Sequence, residues 1–256
     1  TKVPQVLIAY TEILGLLNQG LRVPDDVTIC WPDDNWGYIR QLPNRRQQQR
    51  AGGSGIYYHF QWLQGASGCY VWLHTTPLGL IWQQMHMAYD YDVRRLWVTN
   101  VGDIKPAEIA TEFFLRMGWD IRPWDSGSSR KFLLSWAARD FGPEFAEPIA
   151  EIMEKHFELG YARRPESMVQ GPGRGPIQWE WFSLDHYNDE AQRRIDAYEN
   201  LIRKTDEVYA QLPRELKDAF FEMVLYNVKC AGLHNMKVLY AQKSCAYGAQ
   251  GRASAA

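Results

Sequence analysis

A short and almost continuous apolar run, Val27 to Trp31, constrains the fold more than any other feature of the sequence. A run of this kind, with no polar alternation, is typical of a β-strand that is buried on both faces. It stops at Pro32, and two carboxylates, Asp33 and Asp34, follow immediately. Strands buried on both faces belong to sheets that helices cover, so the run predicts an α/β fold with a polar loop after this strand.

Strand-like and helix-like segments alternate along the first half of the chain. Three glycines, at positions 52, 53 and 55, precede the second strand pattern, and Gly118 closes the last helix pattern. In chain order, the predicted elements are a helix over residues 4–20, strands over residues 27–31, 56–62 and 70–73, a helix over residues 78–89, a strand over residues 95–101 and a helix over residues 106–118. This alternation indicates a mainly parallel sheet with helices packed outside it.

The pattern changes after Trp124, where apolar residues recur at helical spacing and no strand is needed. A loop rich in glycine and proline, residues 163–176, interrupts the helical pattern. We interpret residues 127–250 as a helical bundle whose apolar faces serve packing. The predicted domains are therefore an α/β domain over residues 1–125 and an all-α domain over residues 126–256.

The densest polar cluster follows the first predicted strand, in the motif WPDDNWGYIRQLP. In parallel α/β folds the carboxyl ends of the strands carry the reactive groups, because the loops there converge on one pocket. Asp33, Asp34, Asn35 and Arg40 are more polar groups than a turn requires. The alternative is that this motif only forms a turn and caps a helix.

Two further polar clusters follow predicted strands. In the motif GGSGIYYHF, Tyr58 and His59 are neighbours on a strand, so they point to opposite faces unless the strand has ended. In the motif TNVGD, Asp103 could face Asp33 or Asp34 across the mouth of a barrel. Glycosidases commonly place two carboxyl groups around the scissile bond. The alternative for Asp103 is a cap for the helix that follows.

Composition and motif spacing argue against several other functions. The glycines fit neither the phosphate-loop pattern, which ends in lysine, nor the dinucleotide pattern G-x-G-x-x-G. The four cysteines, Cys30, Cys69, Cys230 and Cys245, are far apart and form no C-x-x-C pair, so we predict no metal site and no cofactor. A net charge of −2 offers no broad field for nucleic acid, and no apolar run approaches the roughly 18 residues that span a bilayer. We therefore predict neither a nucleic-acid partner nor a membrane partner.

Four motifs occur in the order seen in glycoside hydrolase family 115, which the chain resembles: PDDNWGYIRQLP, GGSGIYYHF, WLHTTPLGLIWQQM and LWVTNVGDIKPAEIATEFFLRMGWD. The resemblance spans about residues 5–165 and is strong over residues 28–120. It implies an α-glucuronidase acting on glucuronoxylan or on aldouronic acid oligosaccharides. Such an enzyme hydrolyses the α-1,2 bond between xylose and glucuronic acid or its 4-O-methyl ether, with inversion of configuration.

The resemblance also implies a (β/α)8 barrel flanked by an N-terminal domain, a helical bundle and a β-sandwich. On that basis the chain is expected to be an internal fragment, with the C-terminal part of a TIM-type barrel followed by an all-α helical bundle. The first half of the barrel is expected upstream of Thr1. The resemblance further implies a homodimer for the full-length protein and a secreted or periplasmic location.

The motif positions imply roles for the candidate residues. Asp34 is the preferred catalytic carboxylate, Asp33 is the alternative beside it, and Asp103 is the candidate for the second carboxylate. The residues expected to bind the sugar are Trp31, Asn35, Trp36, Tyr38, Arg40, Tyr58, His59 and Asn100. Among these, Arg40 suits a sugar that bears a carboxylate, because a guanidinium pairs with that group bidentately. The tryptophans and Tyr58 are expected to stack on the sugar.

The chain departs from the family pattern at two glutamines. Some relatives carry acidic residues where this chain has Gln61 and Gln83. If one of those acids is catalytic, another group has to take its role here. The alternative function is therefore a noncatalytic carbohydrate-binding relative that uses the same pocket.

Overall fold

The computed structural model describes residues 3–61, 72–102, 104–168, 182–252 and 254. These residues form two compact units. The first unit comprises residues 1–62 and 78–129, and the second comprises residues 63–77 and 130–256, each within the described ranges.

The first unit contains a four-stranded parallel sheet in the order β1-β2-β3-β4. The strands are β1 (Val6–Ile8), β2 (Thr28–Pro32), β3 (Ser54–His59) and β4 (Leu96–Asn100). In the register of the ladder, Leu7 lies opposite Ile29, Trp31 opposite Ile56, and Tyr58 opposite Thr99. The predicted α/β fold with a parallel sheet is confirmed, and its closure into a barrel stays a prediction.

Four helices belong to the first unit: α1 (Glu12–Asn18), α2 (Arg45–Gln48), α3 (Leu78–Asp90) and α4 (Glu108–Trp119). All five residues of β2 are buried, as the apolar run predicts for a strand covered on both faces. Buried aliphatic and aromatic side chains of α3 and α4 include Ile81, Met85, Phe113 and Phe114. The predicted helices over residues 78–89 and 106–118 are confirmed to within two residues at each end.

The predicted first helix is wrong over its first half. Val6–Ile8 is a strand that pairs in parallel with β2, and the helix begins only at Glu12. A short apolar segment fits a helix or a strand equally well by its spacing, and here pairing with a neighbouring strand decides. The predicted strand over residues 70–73 lies partly outside the described residues, and its described part, Trp72 and Leu73, is not in a strand.

The described residues from 128 onwards form helices and no strand, as predicted for this half of the chain. The helices are α5 (Ser128–Phe141), α6 (Pro143–Ala162), a short 3-10 helix (Pro165–Met168), α7 (Glu190–Gln211), α8 (Arg214–Phe220), a π-helix (Phe221–Leu225) and α9 (Tyr226–Ala249). Their arrangement as a bundle and the domain limit at residue 125 remain predictions. Within the described parts of the chain, no helix is long and apolar enough to cross a membrane.

A buried arginine joins three segments of the second unit. The Arg194 side chain, on α7, donates to Asn235 Oδ1 at 2.9 Å, to the carbonyl oxygen of Leu159 at 3.1 Å and to that of Arg163 at 2.9 Å. The two carbonyls lie at the end of α6, and that of Leu159 also accepts the backbone N–H of Arg163 at 3.3 Å. Arg194 therefore ties the end of α6 to α7 and α9. Burial lowers the pKa of its guanidinium.

Candidate active site at the carboxyl ends of the strands

Polar and aromatic side chains follow or end all four strands of the first unit. Because the strands are parallel, their carboxyl ends lie at one edge of the sheet. Tyr10, which follows β1, donates its hydroxyl to Asn35 Oδ1 in the loop after β2 at 2.9 Å. Asn100, at the end of β4, donates to the Tyr57 hydroxyl of β3 at 3.3 Å. We call this group, completed by Asp33 and His59, the strand-end cluster.

Asp33 lies at the buried centre of the strand-end cluster. Its Oδ1 is 2.5 Å from His59 Nδ1, and its Oδ2 accepts from the backbone N–H groups of His59 at 3.1 Å and Gly37 at 3.2 Å. The side chains of Asp33 and His59 are both closed to solvent. A carboxylate held in this way is suited to orient the histidine ring, and a buried polar group of this kind requires such partners.

Two tyrosines that we did not predict as site residues enclose His59. The His59 ring stacks on Tyr10 with ring centroids 5.4 Å apart, and it meets the edge of Tyr57 at 4.4 Å. Tyr10 was missed because its segment was assigned to a helix. The signal that finds it is the VLIA run just before it, which fits a strand as well as a helix.

Asp34 and Arg40 form an ion pair on the outer side of the loop after β2. Asp34 Oδ2 accepts from Arg40 Nε at 2.8 Å and lies 2.7 Å from a terminal guanidinium nitrogen. Asp34 Oδ1 accepts from the backbone N–H groups of Trp36 and Tyr38. The Asp34 side chain is 21% exposed and that of Arg40 is 69% exposed, so this pair, unlike Asp33, is accessible to a ligand.

The loop that carries this pair is held at several points. Asn35 and Gly37 adopt positive φ angles of 68° and 92°. The carbonyl oxygen of Gly37 accepts from the buried Tyr58 hydroxyl at 2.8 Å, and the backbone N–H of Ile39 donates to Gln84 of α3 at 2.8 Å. Like Tyr10 and Tyr57, Gln84 was not predicted as a residue of the site. The loop is therefore a fixed platform for its exposed side chains.

Two of the predicted stacking residues lie in the core instead. Trp31 and Tyr58 are both fully buried, and Trp31 Nε1 donates to Ser54 Oγ at 3.2 Å. Tyr58 packs against Phe60 and Phe114. Because helices cover this sheet, the buried rings of Trp31 on β2 and Tyr58 on β3 have no face open to a sugar.

The remaining predicted residues divide between two places. Asp33, Asn35, His59 and Asn100 come together in the strand-end cluster, whereas Asp34, Trp36, Tyr38 and Arg40 lie on the loop. Trp36 is 40% exposed, and the Arg40 guanidinium lies over the Tyr38 ring, 5.1 Å from its centroid. Asp103 lies outside the described residues. Among the residues that the structure describes, no three His, Cys, Asp or Glu side chains are grouped as metal ligands.

Comparisons with known proteins identify the family of the chain. A model of glycosyl hydrolase family 115 matches residues 1–167. Among solved structures, the chain is similar to BtGH115A, a family GH115 4-O-methyl-α-glucuronidase with specificity for decorated arabinogalactans. The two are 37% identical, and the TM-score is 0.86 with 94% of this chain covered. The chain spans 32% of that enzyme's length. No curated protein matches the chain.

Proposed function

Because the chain belongs to glycosyl hydrolase family 115, we propose that the protein hydrolyses the bond between glucuronic acid, or its 4-O-methyl ether, and a polysaccharide. The observation that carries the proposal is the exposed Arg40 guanidinium, held between Asp34 and the Tyr38 ring at the carboxyl edge of the sheet. A guanidinium pairs bidentately with a carboxylate, and an aromatic ring offers a surface to the apolar face of a sugar. Together these groups suit a sugar that bears a carboxylate.

The polysaccharide that we propose is glucuronoxylan, with glucuronate α-1,2-linked to xylose, or its aldouronic acid oligosaccharides. BtGH115A supports a second candidate, since its described specificity is for decorated arabinogalactans. Arg40 is proposed to bind the terminal uronate, so it does not discriminate between the two backbones. Glucuronate release from each polysaccharide, measured side by side with the whole protein, decides between them.

We propose that the reaction proceeds with inversion. One carboxylic acid protonates the glycosidic oxygen while a carboxylate about 6.5–9.5 Å away activates water on the opposite face of the sugar. Asp34 is our candidate for one of these groups, because its carboxylate is partly exposed. The sugar carboxylate can replace Asp34 Oδ2 as the partner of Arg40, which releases that oxygen for proton transfer. Asp103 is our candidate for the second carboxylate.

The buried pair of Asp33 and His59 is proposed to position the site rather than to touch the sugar. Both side chains are closed to solvent, and the pair links the ends of β2 and β3. In this scheme Asp33 fixes the loop that carries Asp34 and Arg40, because it accepts the backbone N–H of Gly37. Trp36 and Asn100 complete the proposed sugar contacts.

The test of the catalytic role is Asp34→Asn in the whole protein. Loss of general acid or base catalysis lowers the rate by roughly 100-fold or more, so glucuronate release is expected to fall at least that far. The matched control is Asp140→Asn, since Asp140 also pairs with an arginine and has a side chain 24% exposed. Glucuronate release by Asp34→Asn at the rate of this control removes Asp34 from the catalytic set.

Proton NMR of the first product tests inversion. An α-linked substrate gives β-glucuronic acid as the first product if configuration inverts, and α-glucuronic acid if it is retained. Early appearance of the α anomer contradicts the proposed mechanism.

A noncatalytic carbohydrate-binding function is the second candidate. It is supported by the two described carboxylates of the site, since both Asp33 and Asp34 are already engaged by other groups. It predicts that the whole protein binds aldouronic acids in calorimetry and releases no glucuronate from either polysaccharide. Release that Asp34→Asn abolishes rules it out.

We also propose that the full-length protein is a homodimer and acts outside the cytoplasm, where polysaccharides are found. Light scattering of the full-length protein tests the first statement, and fractionation of the source cells tests the second.

A further inference from the structure

A separate cleft lies at the opposite end of β4 from the strand-end cluster. It has a volume of about 590 Å3 and is formed by the segment before β4, the start of β4 and the end of α4. Leu96, the first residue of β4, lines this cleft, whereas Asn100, the last, belongs to the strand-end cluster. Asn100 is four residues after Leu96, so the two lie roughly 13 Å apart along the strand. Tyr89, Arg94, Arg95, Trp97, Trp119 and Arg122 line the cleft.

The floor of the cleft is aromatic and fixed. Trp97 Nε1 donates to the carbonyl oxygen of Val93 at 2.7 Å, and the Trp97 ring packs on Phe114 with centroids 5.7 Å apart. Phe114 is itself in the core. The floor therefore presents an apolar surface that does not have to reorganise when a ligand binds.

A tryptophan that is almost fully exposed to solvent forms one side of the cleft. Trp119, the last residue of α4, is 93% exposed. Most large aromatic side chains in folded proteins bury much of their surface, so an indole ring this exposed is ready to bind another apolar face. The ring face of tryptophan suits the C–H face of a sugar, which is apolar while its edge carries hydroxyl groups.

Among the described residues, one cation of the cleft has no anionic partner. Arg94 pairs with Asp92 at 3.3 Å, and Arg122 pairs with Asp120 at 2.8 Å. Arg95 is exposed and makes no ion pair within the part of the chain that the structure describes. The same cleft thus holds a guanidinium with no such ion pair and an exposed indole ring.

We propose that this cleft is a second, noncatalytic site for a uronate sugar, in which Arg95 pairs with the carboxylate and Trp119 stacks on the ring. The identity of the sugar rests on the proposed function, since a polysaccharide that carries uronate groups offers several of them to one protein. The site holds such a chain while the carboxyl edge of the sheet acts on another of its groups. Neutral sugars lack the carboxylate and bind the cleft weakly.

The test is a titration of the whole protein, labelled with 5-fluorotryptophan, followed by 19F NMR. The Trp119 signal is the tryptophan signal that is absent from the spectrum of Trp119→Phe. Glucuronic acid is expected to shift this signal saturably, and glucose is not. Arg95→Gln is expected to raise the dissociation constant for glucuronic acid, measured from this shift, about tenfold. A hydrogen bond between oppositely charged groups contributes roughly that factor to affinity. Arg45→Gln, an exposed arginine of α2 outside the cleft, is the control and leaves it unchanged.

Three results overturn the proposal: no shift of the Trp119 signal with glucuronic acid, an equal shift with glucose, or an unchanged response in Arg95→Gln. These results are independent of glucuronate release. If the protein releases glucuronate while the Trp119 signal does not respond, the second site is refuted and the proposed function stands. If the signal responds and no glucuronate is released, the second site stands and the proposed function fails.

Discussion

The Asp33 carboxylate and the His59 ring form a 2.5 Å contact that is closed to solvent on both sides. The two residues are 26 positions apart in the sequence, and the contact joins the carboxyl ends of β2 and β3. Asp33 also accepts the backbone N–H groups of His59 and Gly37, so one carboxylate fixes both the histidine and the loop. This arrangement makes the pair a support for the exposed residues of the site.

Asp33→Asn is expected to destabilise the protein with little change in volume. Breaking a buried pair by altering one partner leaves the other poorly satisfied, which costs on the order of 3 kcal/mol. Urea unfolding measures the loss. The control Asp140→Asn, on an exposed pair, should change the free energy of unfolding by less than about 0.5 kcal/mol. An unfolding midpoint for Asp33→Asn equal to that of the control contradicts the structural role.

Gly37→Ala tests the strain in the loop after β2. Gly37 has a φ of 92°, which a residue with a Cβ adopts only at a cost of about 1–3 kcal/mol. Gly15→Ala is the matched control, because Gly15 lies within α1 and an added Cβ meets nothing within 4 Å. Alanine favours a helix, so that variant should gain about 0.5–1 kcal/mol. In urea unfolding, we expect the free energy of unfolding to decrease in Gly37→Ala and to increase in Gly15→Ala. A change in the same direction in both variants refutes this explanation.

The main elements of the first unit could be predicted from the sequence because they have strong local signals. The apolar run of β2 and the helical spacing of α3 and α4 are each visible within one segment. β1 could not be assigned, since its three residues become a strand only by pairing with Thr28–Cys30. Local spacing does not contain that information.

The sequence predicted where the candidate site lies better than what each residue does. Polar residues at the carboxyl ends of parallel strands had to meet at one edge of the sheet. How far each side chain is buried depends instead on its contacts with other segments of the chain. Tyr58 and Trp31 are buried because helices cover their sheet, and Asp33 is buried because His59 reaches it from the next strand. Those contacts depend on register, and no local pattern specifies them.

Arg194→Lys tests the buried arginine of the second unit. Lysine keeps the charge, but its single ammonium group cannot reach all three acceptors, which are Asn235 Oδ1 and the carbonyl oxygens of Leu159 and Arg163. Some of these buried acceptors therefore lose the hydrogen bond from residue 194. The expected loss of stability is about 3 kcal/mol. Arg203→Lys, on the same helix but exposed and paired with Glu207, should change it by less than about 0.5 kcal/mol. Equal unfolding midpoints for the two variants contradict the assignment.

The stability of the protein is expected to fall as the pH drops below about 6.5, because of two buried histidines in the second unit. Burial, together with the charge of Arg164, lowers the pKa of His74 to about 3, and burial lowers the pKa of His156 to about 4. Their ordinary value in the unfolded chain is 6.5. Between these values the unfolded state binds protons that the native state does not, so the free energy of unfolding decreases with falling pH.

The size of this effect follows from the same linkage. From pH 7 to pH 5 each histidine is expected to cost on the order of 2 kcal/mol. Glu166 acts in the opposite direction, since burial raises its pKa and the native state then retains a proton above the ordinary value of 4.5.

The measurement is therefore a comparison of urea unfolding at both pH values between the unchanged protein and His156→Gln. In His156→Gln, the part of the decrease in the free energy of unfolding that comes from the two buried histidines should be about half as large. His186→Gln, at an exposed histidine, should leave that decrease unchanged. A pH dependence in His156→Gln identical to that of the unchanged protein shows that His156 is not the group that takes up the proton on unfolding.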